Sequence, residues 1–213
     1  MKQPIFPIIN PELIDQQLIG VADGFLLENA RIKDAMVGSL DAKNISFESS
    51  VFDGAEISSS NLKHATITDV TFTDCLLFGT NFDGSGLRRV LISRGISSGI
   101  ALSDSSLEDV TFDSVKLNSV NFRIAKLRRV VFKNCNLADA DFTGATLVSV
   151  MIINCNLAGA EFSNCTMREV DLRGSDIATA KGVAGMRGAL ITTSQLIALS
   201  QRMAGELGIL VED

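Results

Sequence analysis

Tryptophan and tyrosine are absent from these 213 residues, and histidine occurs once, at His64. Without a second histidine there is no base-and-ligand cluster of the kind most hydrolytic and metal centres use. Proline occurs only at Pro4, Pro7 and Pro11. The four cysteines form no Cys-x-x-Cys pair, which argues against a zinc site. No apolar run approaches the roughly 18 residues of a membrane span. The N-terminus lacks a basic start followed by an apolar stretch, so no signal peptide is evident and a cytoplasmic location is expected. Charge of one sign is also scarce: the net value of −6 is mild and does not suggest direct nucleic-acid binding.

What is present is a period. From Leu107 to Leu172 every fifth residue is large and apolar, running Leu107, Phe112, Leu117, Phe122, Leu127 and onward. Two places before each anchor sits a slender filler such as Val110, Ala125, Cys135 or Ala160. Five is neither the 3.6 of a helix nor the 2 of a strand, so this is a repeat architecture. A chain with one large and one small inward residue in five must turn once per repeat. Four turns close a square coil of twenty residues, and stacked coils lie at strand spacing, about 4.8 Å. Backbone hydrogen bonds then run between coils. The frame holds for all 31 centres from 27 to 177, of which only Ser97 is polar and Ala42 is small. Phe72, Phe82, Phe112, Phe122, Phe132, Phe142 and Phe162 form the expected aromatic core, with leucine dominating the walls between.

Units such as Ala140-Asp141-Phe142-Thr143-Gly144 and Cys155-Asn156-Leu157-Ala158-Gly159 resemble those of the pentapeptide-repeat proteins. The resemblance implies a right-handed quadrilateral parallel β-helix, an all-β solenoid, over residues 27–181. Residues 1–26 are expected as an N-terminal cap segment and 182–213 as a C-terminal loop and helix. The early coils, from Leu27 to Ala65, are expected to be less regular, because Leu40 and Ala42 break the large–small rule. At 94–100 the large side chains are displaced to Ile96 and Ile100, which predicts a bulge or distorted corner, or else a contact site. Thr193 reads as an N-cap for a helix over Ser194–Leu207, with Leu196, Leu199, Met203 and Leu207 on one side. That side is either a homodimer surface, as the resemblance implies, or a lid on the last coil.

All four cysteines, Cys75, Cys135, Cys155 and Cys165, fall at filler positions and read as small buried hydrophobes. On the outside, residues twenty apart should stack. Asp69, Arg89, Asp109 and Arg129 then alternate in sign, as do Arg88, Glu108 and Arg128, which predicts an exposed ladder of ion pairs. The basic run from Lys116 to Lys133 is spread over different walls. Leu91, Val131, Met151 and neighbouring Ile153 form an outward apolar row, with Leu76, Phe78 and Ile96 on the adjacent wall. These six (Leu76, Phe78, Leu91, Ile96, Met151, Ile153) are candidate partner contacts, or else lie under the N-terminal segment or the tail.

No nucleophile elbow, phosphate loop or metal spacing appears, and no cofactor is expected. The chain therefore reads as a non-enzymatic interaction rod with a protein partner. The family resemblance implies one version, binding of DNA gyrase or topoisomerase IV by imitation of duplex DNA. The arginine pairs Arg88-Arg89 and Arg128-Arg129 depart from the sustained negative wall such imitation needs. The alternative is a structural or regulatory scaffold with an unrelated partner.

Overall fold

The computed structural model describes residues 2–212. Its strands are β1 (Ile14–Asp15), β2 (Leu26–Glu28), β3 (Ala30–Lys33), β4 (Ser46–Asp53), β5 (Thr66–Thr73), β6 (Gly86–Ser93), β7 (Ser106–Asp113), β8 (Lys126–Lys133), β9 (Thr146–Ile153), β10 (Thr166–Asp171) and β11 (Ala189–Leu190), followed by helix α1 (Thr193–Glu206). All pairings are parallel, and from β2 to β10 each residue pairs with the one twenty further on, as in Leu87 with Leu107 and Leu107 with Leu127. The other two walls carry single bridges in the same register, such as Ile96 with Lys116 and Asn121 with Asp141. The molecule is the four-sided parallel solenoid expected from the period.

The turn is built into the backbone two residues after each centre. Every non-glycine residue with positive φ, from Asn29 to Glu169, occupies that position, and Gly54, Gly84 and Gly144 occupy equivalent ones. Asn, Asp and Gly tolerate this left-handed conformation best, which explains their recurrence in the repeat.

Inside, the seven expected phenylalanines are buried, with Phe47 and Phe52 alongside them. Phe112 stacks on Phe132 with ring centroids 4.9 Å apart, and Phe142 stacks on Phe122 and Phe162 at 5.1 Å. Phe122 and Phe132, on opposing walls, meet edge to face at 5.7 Å. The tube is thus filled from wall to wall by aromatic columns, a geometry that adds to the burial energy.

The fillers do more than fit. Thr80, Ser105 and Ser175 donate their hydroxyls to the carbonyls of Ile57, Phe82 and Ile152, in each case 23 residues back. Cys135 and Cys165 donate their thiols in the same way to Phe112 and Phe142. Small polar residues are therefore at home at filler sites because a core carbonyl lies within reach.

Three expectations change. The stretch 94–100 is not a bulge: Ser97 donates its N–H to Lys116 and Ile96 accepts from Leu77, both in normal register. The backbone tolerates Ser97 as it would Leu, and Gly95 fits the filler site where an added Cβ would lie 2.5 Å from the Cys75 carbonyl oxygen. The early coils hold register as far back as Leu26, although β2 and β3 are interrupted at the left-handed Asn29. At the far end, residues 182–188 are not all loop. A short 3-10 turn, Val183–Met186, buries Gly185 and Met186, and β11 then pairs with β10. The solenoid thus gains a partial turn, shortened to 19 residues between Val170 and Ala189. Gly185 makes this possible, since any side chain there would strike the Phe162 carbonyl.

Candidate functional site

With the bore filled, what the chain offers is its outer walls. The wall centred on Leu107 turns into the wall centred on Phe112 at the corner column Asp69, Arg89, Asp109, Arg129. Expected as an exposed ladder, this column is largely covered. The side chains of Arg129 and Asp109 are 14% and 3% exposed. Arg129 donates Nε to Asp109 at 2.7 Å and Nη2 to both Asp109 and Glu108, at 2.7 and 2.6 Å. Arg89 grips Asp69 through both Nε and Nη2. The carboxylates therefore sit below their ordinary range. For Asp109 the hydrogen bond from Arg129 leads, opposed by burial. For Asp69 burial pushes upward, and Arg89 together with a backbone N–H more than undoes it.

The cover is the N-terminal segment. Ile8 donates its N–H to Asp69 at 2.8 Å and Ile5 to Asp109 at 3.1 Å. The Gln3 amide reaches the Met151 sulfur at 3.8 Å, and Asn10 donates to Asn29 at 3.0 Å. Residues 3–10 form a strap along the rod, and the row Leu91, Thr111, Val131, Met151 lies beside and beneath it. Met151 and Val131 are buried, and Leu91 and Ile153 half-buried. Of the two readings open for this row, the structure shows Met151 and Leu91 on the floor of a groove that the N-terminal segment occupies. The sequence held one hint: prolines confined to a non-repeating segment mark an extended chain without a coil of its own.

Leu76, Phe78 and Ile96 lie together on the next wall, with Phe78 41% exposed and the other two half-buried. Nothing among the described residues covers them. The basic run divides among walls, and most of it is paired: Arg123 with Asp141, Arg128 with Glu108, Arg129 with Asp109 and Lys133 with Asp113. His64 is exposed at a corner. No cluster of metal-binding side chains occurs among the described residues, and no helix among them is long and apolar enough to cross a membrane.

At the C-terminal end, the four proposed dimer residues separate. Leu199 is buried and Met203 half-buried against the last turn, whereas Leu196 and Leu207 are exposed. Leu199 and Met203 therefore serve a lid, because the open end of the stack presents core and carbonyls that need cover. The Gln195 amide donates to the carbonyls of Leu172 and Ser175 at 2.8 and 2.7 Å. The cap residue is Thr192, one before the expected Thr193, in a reciprocal capping box with Gln195. The outer side of the end, Leu196, Ile197 and Leu207 with Ile209, Leu210 and Val211, stays open to solvent.

The cysteines are unbridged. Burial pushes the Cys75 thiol up to about 11 and Cys165 up to about 12, so neither is a ready nucleophile.

A four-sided β-solenoid with filled bore and patterned walls is the class these features define. Residues 105–181 match the family model for the pentapeptide repeat region. The same five-residue frame extends back to Leu27, so the likeness to pentapeptide-repeat proteins continues beyond the matched residues. Two trypsin-treated forms of QnrB1, a plasmid-mediated fluoroquinolone resistance protein, superpose on it. One does so at TM-score 0.57 and 16% identity, covering 91% of this chain and all of the other. The second gives TM-score 0.50 at 18% identity, covering 89% and 100%. HetL, a pentapeptide-repeat protein involved in heterocyst differentiation regulation from the cyanobacterium Nostoc sp. strain PCC 7120, matches at TM-score 0.32 and 14% identity over 76% of this chain and 88% of its own. A comparison with curated proteins finds no match.

Proposed function

We propose that the protein is a non-enzymatic docking rod for a protein partner, working in the cytoplasm, with the Leu76–Phe78–Ile96 patch as a contact surface. The observation that supports this most is the division of labour in each repeat. Inward positions are filled by packing, so no cavity for substrate runs along the axis, and chemistry is left to flat walls. An exposed apolar patch on an otherwise polar wall is the usual mark of association. Ile96→Asp or Phe78→Asp should abolish capture of the partner from a lysate of the source organism. Charge reversal at Arg128, a rim charge, should leave capture intact. Capture insensitive to Ile96→Asp and Phe78→Asp would sink the patch.

A second reading names the partner as DNA gyrase or topoisomerase IV. Its support is that the likeness covers the whole of the trypsin-treated QnrB1 chain. Charge balance weighs against imitation of DNA. On the wall centred on Leu107, Glu28, Glu48, Asp69, Glu108, Asp109 and Glu169 are matched one for one by Arg88, Arg89, Lys126, Arg128, Arg129 and Arg168. A supercoiling assay decides it: no inhibition or quinolone protection at micromolar protein ends that version. The exposed end of α1 and the tail, Leu196, Leu207 and Leu210, are the surface through which a homodimer would form. Light scattering of a Leu207→Glu/Leu210→Glu variant tests it, and an unchanged mass would argue against dimerisation there.

A further inference from the structure

The strap and the column beneath it share a period. Ile5 and Ile8, three residues apart, give their N–H groups to Asp109 and Asp69, forty residues and therefore two coils apart. Pro4 and Pro7 have the same spacing and are partly buried, whereas Ile5, Phe6 and Ile8 are 56%, 65% and 66% exposed. A three-residue period with proline at each step is that of polyproline II, which rises about 3.1 Å per residue. Three residues then span about 9.3 Å, and two coils at strand spacing span about 9.6 Å. The rod is thus a ruler for such a chain. Each rung offers a carboxylate fixed by an arginine, Asp109 by Arg129 and Asp69 by Arg89, and the row Leu91, Val131, Met151 provides an apolar floor.

The recognition makes few demands on side chains. The carboxylates take backbone N–H groups, and between Pro4 and Ile8 it is the two prolines that turn toward the wall and are half-buried. The outward side chains of Ile5, Phe6 and Ile8 remain largely in water, so little apolar burial holds the strap down. We propose that this column is a docking groove for an extended segment of a partner protein carrying proline at every third position and a free N–H on the residue after each, and that residues 2–10 occupy it in cis as a displaceable cover. This deepens the reading of the chain as a docking rod, using a wall separate from the Leu76–Phe78–Ile96 patch. Its test is independent of that patch.

The cover can be loosened without touching the groove. Ile5→Pro/Ile8→Pro removes both N–H donors while keeping the extended conformation. In the full-length double variant, oxidation of Met151 by peroxide, followed by peptide mass spectrometry, should accelerate at least fivefold, with unchanged circular dichroism. A fluorescein-labelled peptide with the sequence of Lys2–Asn10 should then bind at least tenfold more tightly than to the wild type, whose tethered strap competes at an effective concentration in the millimolar range. Adding Asp109→Asn should weaken the peptide at least fivefold, and moving its prolines to adjacent positions should do the same. Faster Met151 oxidation without peptide binding below about 1 mM would show a strap that covers but a groove that does not read. Unchanged Met151 protection would show that the strap is an integral part of the wall. Either result overturns the proposal, and neither bears on the apolar patch.

Discussion

Replacing Ser97 by alanine should stabilise the protein. Ser97 is fully buried at a centre position, stacked between Leu77 and Leu117, and its hydroxyl has no hydrogen-bond partner. At filler sites the same group reaches a carbonyl 23 residues back, as Ser105 and Ser175 do, but a centre side chain points down the bore where only hydrocarbon lies. An unsatisfied buried hydroxyl costs about 1–3 kcal/mol. Ser97→Ala removes that cost with almost no change in volume, so a gain of about 1 kcal/mol is expected, or roughly 2–4 °C in Tm for a chain of this length. Ser97→Leu should gain less despite restoring the leucine column. Ile100, at the next filler site, is larger than Thr80 and Val120 above and below it and takes up part of the space. Overpacking costs about 1–3 kcal/mol, so Ser97→Leu and Ile100→Ala together should exceed the sum of the two alone. Urea unfolding followed by amide exchange around Ile96–Leu102 reads this locally, which matters in a stack whose coils need not unfold as one unit. A Ser97→Ala variant no more stable than wild type, or additive behaviour of the pair, would refute the account.

Other consequences follow from the corners and the ends. Ile124 holds φ of 53° with a β-branched, exposed side chain; Ile124→Asn should raise stability by about 1 kcal/mol, measured by thermal melting. The strap should respond to acid. Because Asp69 and Asp109 are held below their ordinary range, the stability they contribute is present above the unfolded value near pH 3.9 and is lost as pH falls through the depressed folded values. Met151 oxidation should therefore stay slow down to about pH 4 and accelerate only below it; acceleration already between pH 6 and 5 would contradict the assignment. Gln195→Leu leaves the Leu172 and Ser175 carbonyls without their side-chain donor and should destabilise the terminal turn by about 1–3 kcal/mol. Exchange of the β11 amides should rise first, and uniform exchange along the whole rod would count against a local lid.

The solenoid was legible because its rule is local and repeated. Each anchor and filler reports the same geometry, so Phe122 or Cys135 could be placed from spacing alone. The walls were harder to read. The five-residue frame says that Met151 and Asp109 point outward, but not what lies over them. Their cover comes from residues outside the repeat, where no period constrains a prediction. Proline at 4 and 7 carried that information only in combination with the two-coil spacing of Asp69 and Asp109, a relation over more than sixty residues. The last turn was missed for a similar reason. Gly185 and the pairing of β11 fill the place of a coil while abandoning its sequence rule. At 94–100 the opposite holds: side-chain size changes while the backbone does not, because the ladder bonds depend on neither Ser97 nor Ile100.

The match of three strap residues to two coils also constrains how such a rod can lengthen. Insertion of a single twenty-residue coil would advance the wall by one and a half strap residues and set a carboxylate opposite the wrong backbone atom. Insertion of forty would advance it by three and leave every rung in step. Lineages that retain this N-terminal segment should therefore differ by even numbers of coils between those two rungs, whereas coils beyond them, and rods that have lost the segment, are free to grow one at a time.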